Sequence, residues 1–225
     1  VFGEDASGVY GMSTLRRFLF ANGAGAVKAV AVGKDESEEK DYASAFAALS
    51  DEVDVGGMVC DSAAQSVQLL LKTAAEDASA ARRERIAVIG GSEETVAQMV
   101  HRAKAVNSER VVLVGPDIAS DDGGTMSAVF AAAAVAAVIA GTTDPSVPIN
   151  GAELTLFGAA GKRLSDNEID QLVRGGVTPI ETVGGVSSPV RGITTKTSSG
   201  GATATTWREL TTGLVVDEVV PTIRS

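Results

Sequence analysis

Three short stretches constrain this chain more than anything else in it: AVKAVAV at residues 26–32, IAVIG at 86–90 and VVLVG at 111–115 are apolar at nearly every position. A strand with one wet face alternates apolar and polar residues. A strand covered on both faces does not, and runs of this kind are what a parallel sheet sandwiched between helices requires.

Amphipathic stretches lie between these runs. Residues 10–21 set Met12, Leu15, Phe18 and Leu19 at helical spacing with Arg16 and Arg17 opposite, and Asn22-Gly23 ends that helix. The strand predicted over 26–32 comes next. A charged loop (34–40) then leads to a helix over 41–49 with Tyr42, Ala45, Phe46 and Leu49 inward. A strand is predicted over 53–60, followed by a long helix capped by Asp61 or Ser62, carrying Val67, Leu70 and Leu71 inward and running towards Arg82. The third strand covers 85–89. Ser92 caps its helix, which turns Val96, Met99, Val100 and Ala103 to one face. After a fourth strand at 110–114, the Gly123-Gly124 loop leads into an Ala-rich helix at 128–140. That run falls short of the roughly 20 residues a membrane span needs, so it reads as a helix buried on most sides, with no membrane insertion. Strand and helix repeated four times predict an α/β fold built on a doubly wound, mostly parallel sheet with right-handed crossovers.

Composition narrows the function. Hydrophobic residues make up 44% of the 225 positions but aromatics only 4%, so the core must be Ala, Val, Leu and Ile with helices lying close on the sheet. A net charge of -10 opposes binding to phosphate backbones, and no nucleic-acid role is expected. Cys60 is the single cysteine, which excludes an internal disulfide or a zinc cluster and leaves a buried small hydrophobe. Residues 1–11 lack the basic start and long apolar segment of a secretory signal, so a cytoplasmic origin is expected. The chain opens on Val1 and stops just after an amphipathic run, as a core cut from a larger protein would.

Catalytic chemistry finds little to use. His101 is the only histidine, and helical spacing puts it with Glu94, Ala97 and Lys104 on the solvent side of its helix. Ser92 sits where a nucleophile elbow would, but position 94 is Glu, so G-x-S-x-G is absent and an N-cap accounts for the serine. The pairs Asp121-Asp122 and Glu93-Glu94 lack the spacing of a calcium loop. Gly23 and Gly25 follow a helix and precede a strand, the reverse of a dinucleotide fingerprint, and no GxxxxGK[ST] occurs. No catalytic residue, metal site or cofactor is expected.

The most distinctive stretch is SDNEIDQLVRGGVTPIETVGGVSSPVRGITT, residues 165–195. Ser165 and Glu168 form a capping box, Ile169, Leu172 and Val173 give the helix one apolar face, and Gly175-Gly176 closes it. Residues 178–183 and 190–197 predict a hairpin with a longer loop around Gly184-Gly185, across which Glu181 and Arg191 either face each other or stay solvated. The capped helix leading into GVTPIE and then VRGITT resembles the signature of the contractile-phage tail sheath family. AAVAAVIAGTTDPSVPIN (133–150) resembles the DPxxPxN element of its Mu-like branch, and TTWRELTT (205–212) resembles the start of its C-terminal domain.

The resemblance implies a subtilisin-like α/β sheath core over 1–150, a capped helix and β-hairpin completing it over 151–200, and the start of a further domain over 201–225. It implies a structural subunit of a virion tail, assembled in the host cytoplasm. Subunits stack as hexameric rings around a tail tube protein, with baseplate and tail terminator proteins as further partners, and contraction drives the tube through the host envelope for genome ejection. Terminal arms link neighbours by adding strands to them. A helix beginning near Leu214 would carry contacts through Val216, Val219 and Ile223, although Pro221 sits poorly in a helix interior. Trp207 is a packing anchor at the domain junction or an inter-subunit contact. Two alternatives stay open: a divergent α/β hydrolase or nucleotide-binding enzyme, and the sheath of a phage-tail-like bacteriocin or other contractile injection system.

Overall fold

The computed structural model describes residues 10–32, 39–120, 122–156, 158 and 163–224. Helices α1 (Met12–Ala21) and α2 (Glu39–Ala48) precede strand β1 (Gly57–Met58), followed by α3 (Gln65–Ala80), β2 (Ile86–Gly90), α4 (Val96–Val106) and β3 (Val111–Gly115). A small hairpin of β4 (Ile118–Ala119) and β5 (Thr125–Met126) opens into α5 (Ala128–Gly141). Then come α6 (Asp166–Arg174), β6 (Thr178–Val183), β7 (Val186–Pro189), a second small hairpin of β8 (Ser198–Ser199) and β9 (Ala202–Thr203), and α7 (Leu210–Arg224).

The main sheet runs β1-β2-β3-β6-β7, parallel except for the last strand. Every residue of β2 and β3 is buried, and the pleat sorts them into two cores. Ile86, Val88, Val112, Val114 and Ile180 join Leu15 and Phe18 of α1 and the alanines and valines of α5 on one side. Ala87, Ile89, Val111 and Leu113 join Leu71, Met99, Ala103 and Leu172 of α3, α4 and α6 on the other. The apolar runs thus have helices on both faces, as a doubly wound sheet demands. Helix α5 lies so close to the sheet that a Cβ on Gly57 would stand 3.1 Å from the Ala136 carbonyl oxygen. Alanine where α5 meets the sheet permits that approach, and the helix has no polar face because it is buried on most sides.

Side-chain caps set the starts of α4, α5 and α6. The Ser165–Glu168 capping box starts α6, and a Schellman pair ends it, with Val177 N–H donating to Leu172 O at 3.0 Å and Gly176 N–H to Val173 O at 3.3 Å. Gly176 carries the positive φ of 84° that this ending needs.

Several expectations are corrected. Residues 26–32 are not a strand: they have no strand partner among the described residues, and the 53–60 strand shrinks to Gly57–Met58. Helix α3 has Ala64 at its N-cap, because the Ser62 hydroxyl accepts from Ala64 N–H in a local turn. Helix α4 is capped by Thr95 with Gln98 in a capping box, not by Ser92, because residues 91–94 form a turn whose Glu93 N–H is held by Asp117. The hairpin has a tight two-residue turn: Gly184 and Gly185 both take positive φ, so Val183 pairs directly with Val186 and the second strand is 186–189, not 190–197. Glu181 therefore faces Ser188, and Arg191 pairs with Glu209. Helix α7 starts at Leu210, earlier than expected, because the Ile193–Glu209 bridge and the bond from Leu210 N–H to Gly192 O fix the chain there; it includes Pro221.

Candidate functional site

In a doubly wound sheet, ligands bind beyond the strand C-termini where successive helices leave on opposite faces. Here that place lies between β2 and β3, since α4 leaves towards one core and α5 towards the other. It is filled. Gly90 ends β2 directly against α5: an ideal Cβ on it would meet the Ala128 carbonyl carbon at 2.2 Å. Ser127 caps α5 by accepting from Val129 N–H at 3.2 Å and donates to Gly91 O at 2.7 Å, which ties the helix start to the end of β2.

Asp117 completes the closure. Its Oδ1 accepts from Ala128 N–H at 3.0 Å and its Oδ2 from Glu93 N–H at 2.7 Å, so one carboxylate holds both the α5 terminus and the turn after β2. Burial pushes its carboxyl above the usual range, aided by Glu93 and Glu94, while the two N–H donors oppose the shift. A second network lies alongside. Arg102 pairs with Glu94 at 2.8 Å and donates to Ala63 O and Gln68 Oε1, both at 3.0 Å, while buried Gln68 donates to Gly90 O at 2.8 Å. The polar groups at this end of the sheet hold backbone in place. No sequence motif marked Asp117, Gln68 or Arg102; the one cue was the Pro116-Asp117 turn after a strand.

Residues weighed for catalysis are scattered. Ser92 is exposed in the turn after β2, and His101 is exposed in mid-α4 on the solvent side, as its spacing predicts. Asp122 is exposed; its bonds from the Ser120 hydroxyl and Gly124 N–H hold its carboxyl below the usual range, and its neighbour Asp121 lies outside the described residues. Among the described residues, no group of three His, Cys, Asp or Glu side chains could hold a metal ion, and no helix is long and apolar enough to cross a membrane. An apolar cavity of about 190 Å³ does exist, at the β1 edge of the sheet, under residues 26–32 and α2. Cys60 and Tyr42 line it, each with its pKa pushed up to about 12 by burial and further by Asp61.

The C-terminal segment is the other candidate. Leu210 is buried in the core that holds α1 and α5, Arg208 donates to Val173 O, Arg110 pairs with Asp217, and Thr194 donates to the Trp207 carbonyl at 2.7 Å. Burial lifts the Asp217 carboxyl although Arg110 opposes the shift. The loop at 197–206 is pinned too, by Asn107, which accepts from Thr197 and Ser198 N–H and donates to Ser198 O. Trp207 remains 38% exposed and Val219 45%, while Val216 is half-buried and the Ile223 side chain lies outside the described residues.

Comparison with known proteins follows the same line. Residues 35–195 match the family described as phage tail sheath protein central domain. The tail sheath protein of Bacillus phage SP01 is 33% identical over 148 residues, covering 63% of this chain and 25% of that protein, so the chain spans about a quarter of the relative's length. A sheath tail protein from Desulfitobacterium hafniense superposes with a TM-score of 0.69 at 15% identity, over 84% of this chain and 42% of that one. The anti-feeding prophage helical sheath in its contracted state gives 0.66 at 14% identity, over 95% and 57%. The contracted PVC sheath complex of an extracellular contractile injection system gives 0.62 at 14%, over 100% and 58%. At these identities the structural likeness shows the fold.

Proposed function

The chain belongs to the phage tail sheath family, and from that premise we propose that it is the body of a structural sheath subunit, in a phage tail or another contractile injection system. The family match over residues 35–195 is the observation that carries this reading. Copies of the full-length protein stack as hexameric rings around a tail tube and meet a baseplate and a tail terminator at the two ends. They shift into a shorter, wider arrangement that drives the tube through the host envelope, and in a phage this ejects the genome. The particle assembles in the host cytoplasm.

The geometry supports a load-bearing role in preference to catalysis. A subunit that is pushed by its neighbours needs a body that does not yield, and the filled end of the sheet, with α5 seated on β2 and β3, supplies one. It also needs a firmly tied exit to the parts that touch neighbours. The ties from Arg110, Arg208 and Leu210 fix the root of α7, and Trp207 and Val219 face outward beside it as contact candidates, with Val216 and Ile223 on the same helix. Energy stored in assembly replaces nucleotide hydrolysis in this scheme.

Co-producing the full-length protein with its tube protein and imaging the product by electron microscopy tests the proposal. Helically arrayed tubes are expected, and the 225-residue piece alone should sediment as a monomer or weakly associated species. A full-length product that stays dispersed beside assembled tubes overturns it.

A further inference from the structure

The main sheet continues a little past β7. Leu154 N–H donates to Ser187 O and Gly151 N–H to Pro189 O, both at 2.8 Å, and Leu154 bridges Ser187 in antiparallel fashion, so residues 151–154 lie along the outer edge of β7. Extended backbone points the N–H and C=O of successive residues to opposite sides. Leu154 turns its pair towards β7, so Thr155 turns its own outward, at the last edge of the sheet. Among the described residues no further strand covers that edge. An open edge is a template for pairing with another chain.

What meets Thr155 is a side chain. Asn22, the residue that ends α1, accepts from Thr155 N–H through Oδ1 at 2.8 Å and donates from Nδ2 to Thr155 O at 3.0 Å. The facing residue of an added antiparallel strand would make the same two bonds. Nδ2 also donates to Phe18 O at 2.8 Å, which anchors the carboxamide to the last turn of α1. Both donors and the acceptor are in use, and a carboxylate, with no donor, could not replace them. The edge also has a reason to pair. Val183 and Val186 are partners across the hairpin and are 69% and 43% exposed, and the register at Leu154–Ser187 sets Thr155 beside Val186. An exposed apolar row thus crosses the hairpin and ends at the place Asn22 occupies. The partner that fits is a second copy of this chain, because every copy carries the same edge and antiparallel pairing of an edge with itself is self-complementary.

We infer that Asn22 is an edge guard: its carboxamide fills the place of a partner's peptide groups on Thr155 and keeps two copies from joining their sheets edge to edge. Sedimentation velocity on the 225-residue protein over about 10–500 µM tests this. Asn22→Ala should self-associate about tenfold or more tightly than wild type. Adding Thr155→Pro, which deletes the outward N–H, should return association to the wild-type level. A folded Asn22→Ala protein that sediments as wild type does overturns the inference. So does association that survives Thr155→Pro, since the contact then lies elsewhere. Amide exchange in the wild type gives a reading that needs no variant. The Thr155 amide should exchange about 100-fold or more slower than in an unstructured peptide, at every protein concentration. Exchange within about tenfold of the peptide, or protection that grows with concentration, overturns the inference because the carboxamide would then not be holding the edge.

Discussion

Replacing Gly90 by alanine drives a methyl group into the backbone of α5. The added carbon would lie 2.2 Å from the Ala128 carbonyl carbon, 2.4 Å from its oxygen and 2.5 Å from the Val129 nitrogen, and none of these atoms belongs to a side chain that can swing away. Ordinary carbon contact needs about 3.5 Å, so the start of α5 must move by roughly 1 Å or more. The helix has nowhere to go, because Ala131, Ala133, Ala134 and Val135 are 0% exposed. Overpacking of this kind costs about 1–3 kcal/mol. The shift also strains the bonds from Ala128 N–H to Asp117 and from the Ser127 hydroxyl to Gly91 O, each worth about 1 kcal/mol. The sum, about 3–5 kcal/mol, corresponds to roughly 10 °C in melting midpoint for a chain of this length. Urea unfolding followed by circular dichroism measures it, with Gly25→Ala as the control, since nothing lies within 4 Å of that position. The control should stay within about 0.5 kcal/mol of wild type. A Gly90→Ala protein within about 1 kcal/mol of wild type would refute the claim that this end of the sheet is closed and unyielding.

Other substitutions probe the remaining ties. Burial, with Glu93 and Glu94, raises the Asp117 carboxyl in the fold, so its stabilising contribution is whole below the unfolded value near 4 and is lost as pH rises through the folded one. Asp117→Asn should therefore fall furthest behind wild type in acid and less far at pH 7, and a gap that widens towards neutral pH contradicts that sign. Ser165→Ala removes one half of the α6 capping box and should cost about 1 kcal/mol by urea midpoint; no change would mean that the cap is idle. Leu210→Ala, at a side chain 1% exposed, should cost about 2–5 kcal/mol and loosen the root of α7, seen as faster amide exchange over 208–217. Unchanged exchange there would show that α7 is held by its polar ties alone.

Features encoded within a few residues were legible in the sequence. The apolar runs at 86–90 and 111–115, the alanine run at 128–140 and the Ser165–Glu168 box each carry their own structural instruction, and the structure follows all of them. What escaped depends on partners distant in the chain. Residues 26–32 have a strand's composition but no strand partner among the described residues, and Ser92 lost the capping role to Thr95 because Asp117, 24 residues away from Glu93, holds the turn between them. The hairpin register turned on two positive φ angles, and Arg191 found Glu209 because residues 190–195 run beside 208–210. Asp117 carries no motif because its task is to accept two backbone N–H groups, which any well-placed carboxylate can do.

The central claim is that this body transmits force between copies of itself. It is tested most directly by a cryo-electron-microscopy map of tubes assembled from the full-length protein. The account predicts that residues 86–141 fit the density with α5 still seated on Gly90, and that a neighbouring subunit or the tube covers Trp207 or the Val219 face of α7. Tubes in which that end of the sheet opens into a solvent-filled crevice, or in which Trp207 and Val219 stay bare in every subunit, would contradict it.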